Sequence, residues 1–286
     1  MTVKKKAYVV GNCQARALER ALLLSNNFSE NFYFVPIQPV HLIKENEVKG
    51  LHDDLPSAGL LLAQCVGEMY RNGIGLGFNK LSGLLSPGGL SFSWPSIYWS
   101  GYNPELFYFR DERGVALLDT FDYHHRIIID GYIKGLPTEV VADNLQTQDI
   151  EIGSKEAADR SLEELATRES LLDVKVVSYI IDNYRMERLF WTFNHPSQSL
   201  IIEVARQILS ALGLTDDLPK VAPREYLNST IYPILPSVRA ALDLKFQSDS
   251  YILSRGSKLT TLEAVKRYYS IYDKHKNLIG RNHRII

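Results

Sequence analysis

The stretch Ala7-Tyr8-Val9-Val10-Gly11-Asn12-Cys13-Gln14-Ala15-Arg16-Ala17-Leu18-Glu19-Arg20-Ala21-Leu22-Leu23 decides how this chain is read. Its first four residues form a short apolar run that reads as a buried strand. Gly11 permits a sharp turn, and Leu18 and Leu22 then recur at helical spacing on one face. A strand that feeds directly into a helix is the opening of a parallel α/β unit. Working outward, Phe32-Tyr33-Phe34-Val35 reads as a second strand, and Leu60-Leu61-Leu62-Ala63-Gln64-Cys65-Val66 as a third that stays apolar until Gln64. Polar groups thus gather at the C-terminal ends of the first and third strands, where open α/β sheets place their ligands.

Glycine, serine and proline are dense across 72–101, which predicts a long loop over the site. The terminal Gly-Lys-Ser/Thr of a nucleotide phosphate loop is missing there, so a P-loop is set aside. Within this stretch the aromatic run 92–99, interrupted by Pro95, fits a fourth strand or a pocket wall. Beyond about residue 115 apolar residues fall at helical spacing over 155–167, 171–184, 198–212, 238–246 and 261–272. Between two of these lies the β-prone run Arg188-Leu189-Phe190-Trp191-Thr192-Phe193, ending in Asn194-His195-Pro196-Ser197, with Pro196 suited to a first helical position. The predicted architecture is α/β: a small parallel sheet with a strand-loop-helix site over 1–115, extended by a mainly α-helical region over 116–286, the two forming one compact unit.

Of the 286 residues 45% are hydrophobic and 23% charged, enough apolar surface for a packed core and too much for a disordered chain. The formal net charge is -1, from 32 basic and 33 acidic residues, so no overall field draws the chain to nucleic acid or to an anionic membrane. The Lys4-Lys5-Lys6 run is followed by too short an apolar stretch for a signal peptide, and no window is long enough for an integral membrane segment. Two cysteines, Cys13 and Cys65, without a secretion signal point to free thiols and a cytoplasmic location.

A lone cysteine beside a sheet is ordinarily core filler. Cys13 differs in standing where a helix begins, among backbone N–H groups and the positive end of the helix dipole, which predicts a stabilised thiolate. Asn12 and Gln14 flank it with side-chain donors suited to a developing oxyanion. His195, at a strand end with Asn194 beside it, is the matching general base. The adjacent pair His124-His125 invites a metal reading, but neighbouring residues point apart and His41, His52, His195, His275 and His283 supply no ligand spacing, so no metal site is predicted. One of the pair, with Arg126, is read instead as contacting the acceptor or a phosphate.

Gly11-Asn12-Cys13-Gln14-Ala15 after the first strand and Thr192-Phe193-Asn194-His195-Pro196 before a late helix together resemble the WcbI-type polysaccharide biosynthesis proteins. The similarity runs through Gln64, Pro95-Ser96-Ile97-Tyr98 and Gly101-Tyr102-Asn103-Pro104, to about residue 215. The first turn also resembles the first block of SGNH hydrolases, with cysteine in place of their serine and His195 in place of their late histidine. Their aspartate, three residues before that histidine, is Thr192 here, which leaves the orienting partner of His195 unidentified, with Asn194 as the candidate.

The resemblance implies a coenzyme A-dependent acetyl- or acyltransferase acting on a hydroxyl of a capsular or surface polysaccharide precursor, with acetyl-coenzyme A as donor and a sugar as acceptor. Cys13, His195, Gln14 and Asn12 are then the catalytic set. Gly11, Asn12, Gln14, Arg16, Gln64, Tyr98, His125, Arg126 and Asn194 are the coenzyme-binding set. Arg71 and Lys80 are further phosphate candidates, and Trp94, Tyr98, Trp99 and Tyr102 form an aromatic cluster for adenine, for a sugar face or for the core. The rival readings are an SGNH-like esterase or thioesterase, with water as acceptor, and a non-catalytic coenzyme A- or ligand-binding protein in which Cys13 is merely packed.

Overall fold

The computed structural model describes residues 3–109, 123–148, 152–247, 250–253 and 256–279. These fall into two compact units, one drawn from 1–97, 163–183 and 196–227 and the other from 98–162, 184–195 and 228–286.

The first unit is built on four parallel strands: β1 (Lys5–Val10), β2 (Phe32–Phe34), β3 (Leu60–Gln64) and β4 (Leu90–Trp94), in the order β2-β1-β3-β4. Register is fixed by pairs such as Ala7 with Phe34, Val10 with Ala63 and Gln64 with Trp94. The helices between the strands are α1 (Cys13–Leu22), α2 (Asn26–Asn31), α3 (Glu45–Asp54) and α4 (Phe78–Ser82). Helices α3 and α4 share a core with one face of the sheet, in keeping with a chain that leaves β1 in one direction and then crosses back over it. That reversal lies between β1 and β3, the place at which open α/β sheets bind ligands outside the strand C-termini.

Tyr8, Val10, Leu61 and Ala63 point to one side and share a core with Val48, Leu51, Leu55, Leu76 and Leu81. The alternate residues Ala7, Val9, Leu60 and Leu62 are equally buried, so both faces of the sheet are covered and the strands read as continuous apolar runs. Helix α1 packs against the helix Gln198–Ala211, with Leu18, Leu22, Ile201 and Ala205 fully buried. Gln198 ties the two by donating its side-chain amide to the Ala17 carbonyl at 3.3 Å.

The second unit holds an antiparallel pair, β5 (Leu106–Tyr108) and β6 (Tyr123–His125), in which Leu106 faces His125 and Tyr108 faces Tyr123. The helices Arg126–Ile133, Thr138–Asn144 and Thr261–Lys274 pack together. The last is started by a capping box in which Thr260 and Glu263 satisfy each other's backbone N–H groups. The hydroxyls of Tyr232 and Tyr268 are hydrogen-bonded to each other and lie 3.2 and 2.9 Å from the Tyr123 carbonyl, so one donates to that carbonyl while the other donates to its neighbour. Among the described residues no helix is long and apolar enough to cross a membrane.

Several sequence expectations are corrected. The stretch 72–101 is not one long loop, since it contains α4 and β4. The helix expected over 171–184 begins only at Val177, and Leu171 is exposed. Asp173 is drawn away to β4, where one carboxylate oxygen accepts from both the Ser93 N–H and the Ser93 hydroxyl at 2.7 Å. The helix expected over 238–246 is Pro236–Ala241, and Asp243 just beyond it takes a left-handed φ of 53°. Pro196 does not open the late helix either: that helix starts at Gln198, capped by the Ser197 hydroxyl.

Ser93 is buried, so removing Asp173 strands its amide without water. Asp173→Ala is expected to lower stability by about 1–3 kcal/mol, the range for a buried donor left unsatisfied. Urea denaturation of wild type and variant checks this, and an unchanged midpoint would show that the 93–173 clasp carries no stability.

Candidate active site

At the C-terminal edge of the sheet three side-chain amides close on one another. The Asn12 backbone N–H donates to Gln64 Oε1 at 2.8 Å, and Gln64 Nε2 donates to Gln14 Oε1 at 2.9 Å. Gln14 Oε1 also accepts from the Ile97 N–H at 3.1 Å, while Gln14 Nε2 donates to the Ile97 carbonyl at 2.8 Å. Asn12 uses its Oδ1 to cap α1, accepting from the Gln14 N–H at 2.9 Å, and its Nδ2 to reach the Ser96 hydroxyl at 3.1 Å. The network joins the ends of β1 and β3 to the chain leaving β4. Gly11 is required by closeness, with no positive φ involved: a Cβ there would stand 2.7 Å from Gln64 Oε1.

The network sets Cys13 as the first residue of α1, half-buried and free, whereas Cys65 is exposed. Two influences oppose each other at its sulfur. Burial pushes the thiol pKa up, while the backbone N–H groups of Cys13 and Gln14 pull it down, and burial wins. The sequence-based expectation of a stabilised thiolate is thereby corrected: the helix terminus acts in the expected direction but is outweighed by desolvation.

Further along α1, Glu19 is 5% exposed and accepts from Arg16 Nη1 at 2.9 Å through Oε2. Burial raises its pKa against the opposing pull of Arg16 and Arg20. Both side chains line a cavity of about 480 Å³ that also meets Gly11 and Asn12.

In the second unit His195 follows the strand Phe190–Thr192. Its Nε2 lies 3.4 Å from the Tyr123 hydroxyl, and the two rings meet edge to face at 5.9 Å. Tyr123 donates to Asn194 Oδ1 at 2.6 Å, Thr192 donates to the same oxygen at 3.0 Å, and Asn194 Nδ2 donates to the Tyr108 hydroxyl at 2.7 Å. Asn194 is therefore the hub that fixes two tyrosines, and the hydroxyl beside the His195 ring belongs to Tyr123.

The family profile described as polysaccharide biosynthesis enzyme WcbI matches residues 6–217. The chain belongs to the WcbI family. A solved structure described as WcbI, a novel polysaccharide biosynthesis enzyme, in its native form without a disulfide bond between coenzyme A and a cysteine, aligns with a TM-score of 0.83 at 24% identity, covering 97% of this chain and 92% of that one. At that identity the likeness speaks for the fold. Comparison with curated proteins gave no match.

Within this WcbI-family chain the first unit brings together Gly11, Asn12, Cys13, Gln14 and Gln64, with Arg16 on the same helix. Gln14 does not present an oxyanion donor: its carboxamide is fully buried and bonded at both ends. Asn12 likewise serves as helix cap and brace. His125 is not placed to meet a phosphate; it is 1% exposed, with Nε2 3.2 Å from Glu105 Oε1, an ion-pair separation without hydrogen-bond alignment. Arg126 is exposed, over the Phe107 ring at 5.9 Å. Arg71 donates to the carbonyls of Val40 and Ile43, a structural use. Tyr98 stacks on Phe193 at 6.1 Å, whereas Trp94, Trp99 and Tyr102 are core residues. Sequence reading passed over Ser96, Glu19, Tyr108 and Tyr123. Only Glu19 carried a local signal, an acidic residue on the buried side of an apolar helix.

Since burial outweighs the helix terminus, alkylation of Cys13 by iodoacetamide is expected to rise with pH through a midpoint above that of an ordinary thiol, about 8.5. Stopped-time labelling read by mass spectrometry, with Cys65 replaced by serine, gives the profile. A midpoint near neutrality would show that the helix terminus dominates after all.

Proposed function

We propose that the chain is an acyltransferase that moves an acyl group from coenzyme A to a hydroxyl of a polysaccharide precursor, working in the cytoplasm with acetyl-coenzyme A as donor. The observation that carries the reading is the position of Cys13: the first residue of a helix at the switch point of a parallel sheet, where the backbone of the first turn favours its thiolate against burial. Membership of a polysaccharide biosynthesis family supports the acceptor class. The relative whose description pairs coenzyme A with a cysteine supports the donor, and Cys13 is the thiol that this reading places beside the coenzyme.

In the proposed course the Cys13 sulfur, once deprotonated, attacks the acyl carbonyl. The new carbon–sulfur bond forms as the bond to the coenzyme sulfur breaks, and the coenzyme leaves as a thiolate that takes up a proton. The acceptor hydroxyl then attacks acyl-Cys13, giving its proton to a base and releasing the Cys13 thiolate. The base assigned is His195, whose ring is braced by Tyr123. The Cys13 backbone N–H is assigned to the oxyanion, because the Asn12 and Gln14 N–H groups and the Gln14 and Gln64 side-chain amides are engaged within the network. A thiol kept protonated at rest suits this order, since unproductive attack on other electrophiles is suppressed until a substrate is bound.

Acetyl-coenzyme A is expected to raise the melting temperature of the wild-type protein by mass action and to leave an acetyl mass increment on Cys13 when no sugar is present. Cys13→Ser should keep the fold and the thermal shift but lose most turnover. His195→Ala should retain coenzyme A binding and lose about 10²- to 10⁴-fold in rate, the range for general-base catalysis. Calorimetry without heat or thermal shift at saturating coenzyme A, or wild-type rates in Cys13→Ser, would overturn the reading.

A further inference from the structure

The first unit contains a cavity of about 480 Å³ whose chemistry does not suit the coenzyme. Asn12, Ala15, Arg16 and Glu19 line it from one face of α1, at the spacing i, i+3, i+4, i+7 that stacks side chains along a helix. Opposite them runs the chain leaving β2, where Pro36, Ile37 and Pro39 make a stiff apolar wall. Gly50 of α3 forms part of the rim, and a Cβ built on it meets nothing within 4 Å. The volume is that of a small-ligand cleft.

The charges decide which ligand. One cation, Arg16, stands against two carboxylates, Glu19 and Glu47, and the Arg16 guanidinium is already engaged by Glu19 at 2.9 Å. A polyanionic coenzyme would meet two carboxyl side chains and a single arginine that is itself paired with Glu19. Glu19 is 5% exposed and lines the cavity, with its Oε2 held by Arg16. A carboxyl group so little exposed, whose free face opens on a cavity, is suited to accept from a ligand hydroxyl there. Carboxylate and guanidinium side by side, facing an apolar wall, offer what a sugar ring needs: acceptors and donors for vicinal hydroxyls and a surface for its C–H face.

We propose that this cavity is the acceptor subsite and takes a neutral hexose unit, held through vicinal hydroxyls by Glu19 and Arg16 against the wall of Pro36 and Ile37. The assignment rests on the acyl-transfer reading and adds to it the place and class of the acceptor. Cys13 opens the same helix six residues before Glu19, about 9 Å along the axis, and its neighbours Gly11 and Asn12 line the cavity.

The test uses amide chemical-shift mapping of the full chain with the methyl glycosides of glucose, galactose and mannose as probes, and adenosine 3′,5′-bisphosphate as the probe for coenzyme phosphates. At least one glycoside is expected to shift the amides of Gly11, Arg16, Glu19 and Gly50, while the bisphosphate leaves them unmoved. Gly50→Phe fills the cavity at a helical site where a side chain is tolerated, and Glu19→Gln keeps the shape while removing the charge. Both should abolish the glycoside shifts and preserve the thermal shift caused by coenzyme A. If no glycoside perturbs the cavity, or if Gly50→Phe weakens coenzyme A binding instead, the proposal is overturned. Loss of the coenzyme A thermal shift in wild type sinks the acyl-transfer reading separately, without touching the glycoside result.

Discussion

The hydrogen bond from the Asn12 N–H to Gln64 Oε1 holds the ends of β1 and β3 together at the point where the sheet changes direction. Everything placed at that edge depends on it. Because Gly11 has no side chain, Gln64 lies directly over the turn, and because Gln64 lies there, its other end is aligned for Gln14. Gln14 in turn captures both backbone groups of Ile97. In a nearly dry interior such a network is cooperative: a single missing partner leaves polar groups that no water reaches. The result is a rigid seat for the first turn of α1, bought with side chains that a reader of the sequence would sooner assign to chemistry.

That seat explains the electrostatic character of Cys13. A helix terminus stabilises an anion through a few partial charges that act within the first turn, whereas desolvation acts on the full thiolate charge. When the side chain is only half out of the protein, the second effect exceeds the first. The same competition governs Glu19, where a direct arginine contact still does not offset burial. Two ionisable groups on one short helix therefore rest closer to neutrality than their types suggest.

The sheet was legible in the sequence because strands buried on both faces read as uninterrupted apolar runs, and β1 and β3 are such runs. The position of Cys13 between strand and helix was legible for the same reason. What was lost involved distance or competition. Asn12 precedes a helix, where asparagine is a favoured cap, yet its neighbour Cys13 drew it into a chemical role that the geometry replaces. Helix α4 is five residues long inside glycine-rich surroundings, too short for periodicity to register. The apolar spacing around Leu171 and Leu172 predicted a helix because nothing local announces that Asp173 bonds to Ser93, eighty positions away. The place of Tyr123 beside His195 is likewise a contact across 72 positions. The family resemblance carried the reading further than residue patterns alone, since the profile match covers both the Cys13 turn and the His195 segment.

The two prolines beside the cavity have a consequence for the outer margin of the sheet. β2 is an edge strand of only three residues, and Val35 makes the last bond to β1 before Pro36. With no N–H at positions 36 and 39, the outgoing segment does not present the regular row of donors that another strand would need in order to zip alongside. Open parallel sheets risk growing sideways into neighbouring chains when concentrated. Here that growth is halted by the same stiff residues that wall the cavity, so replacing Pro36 to enlarge the cleft would also lengthen an adhesive edge.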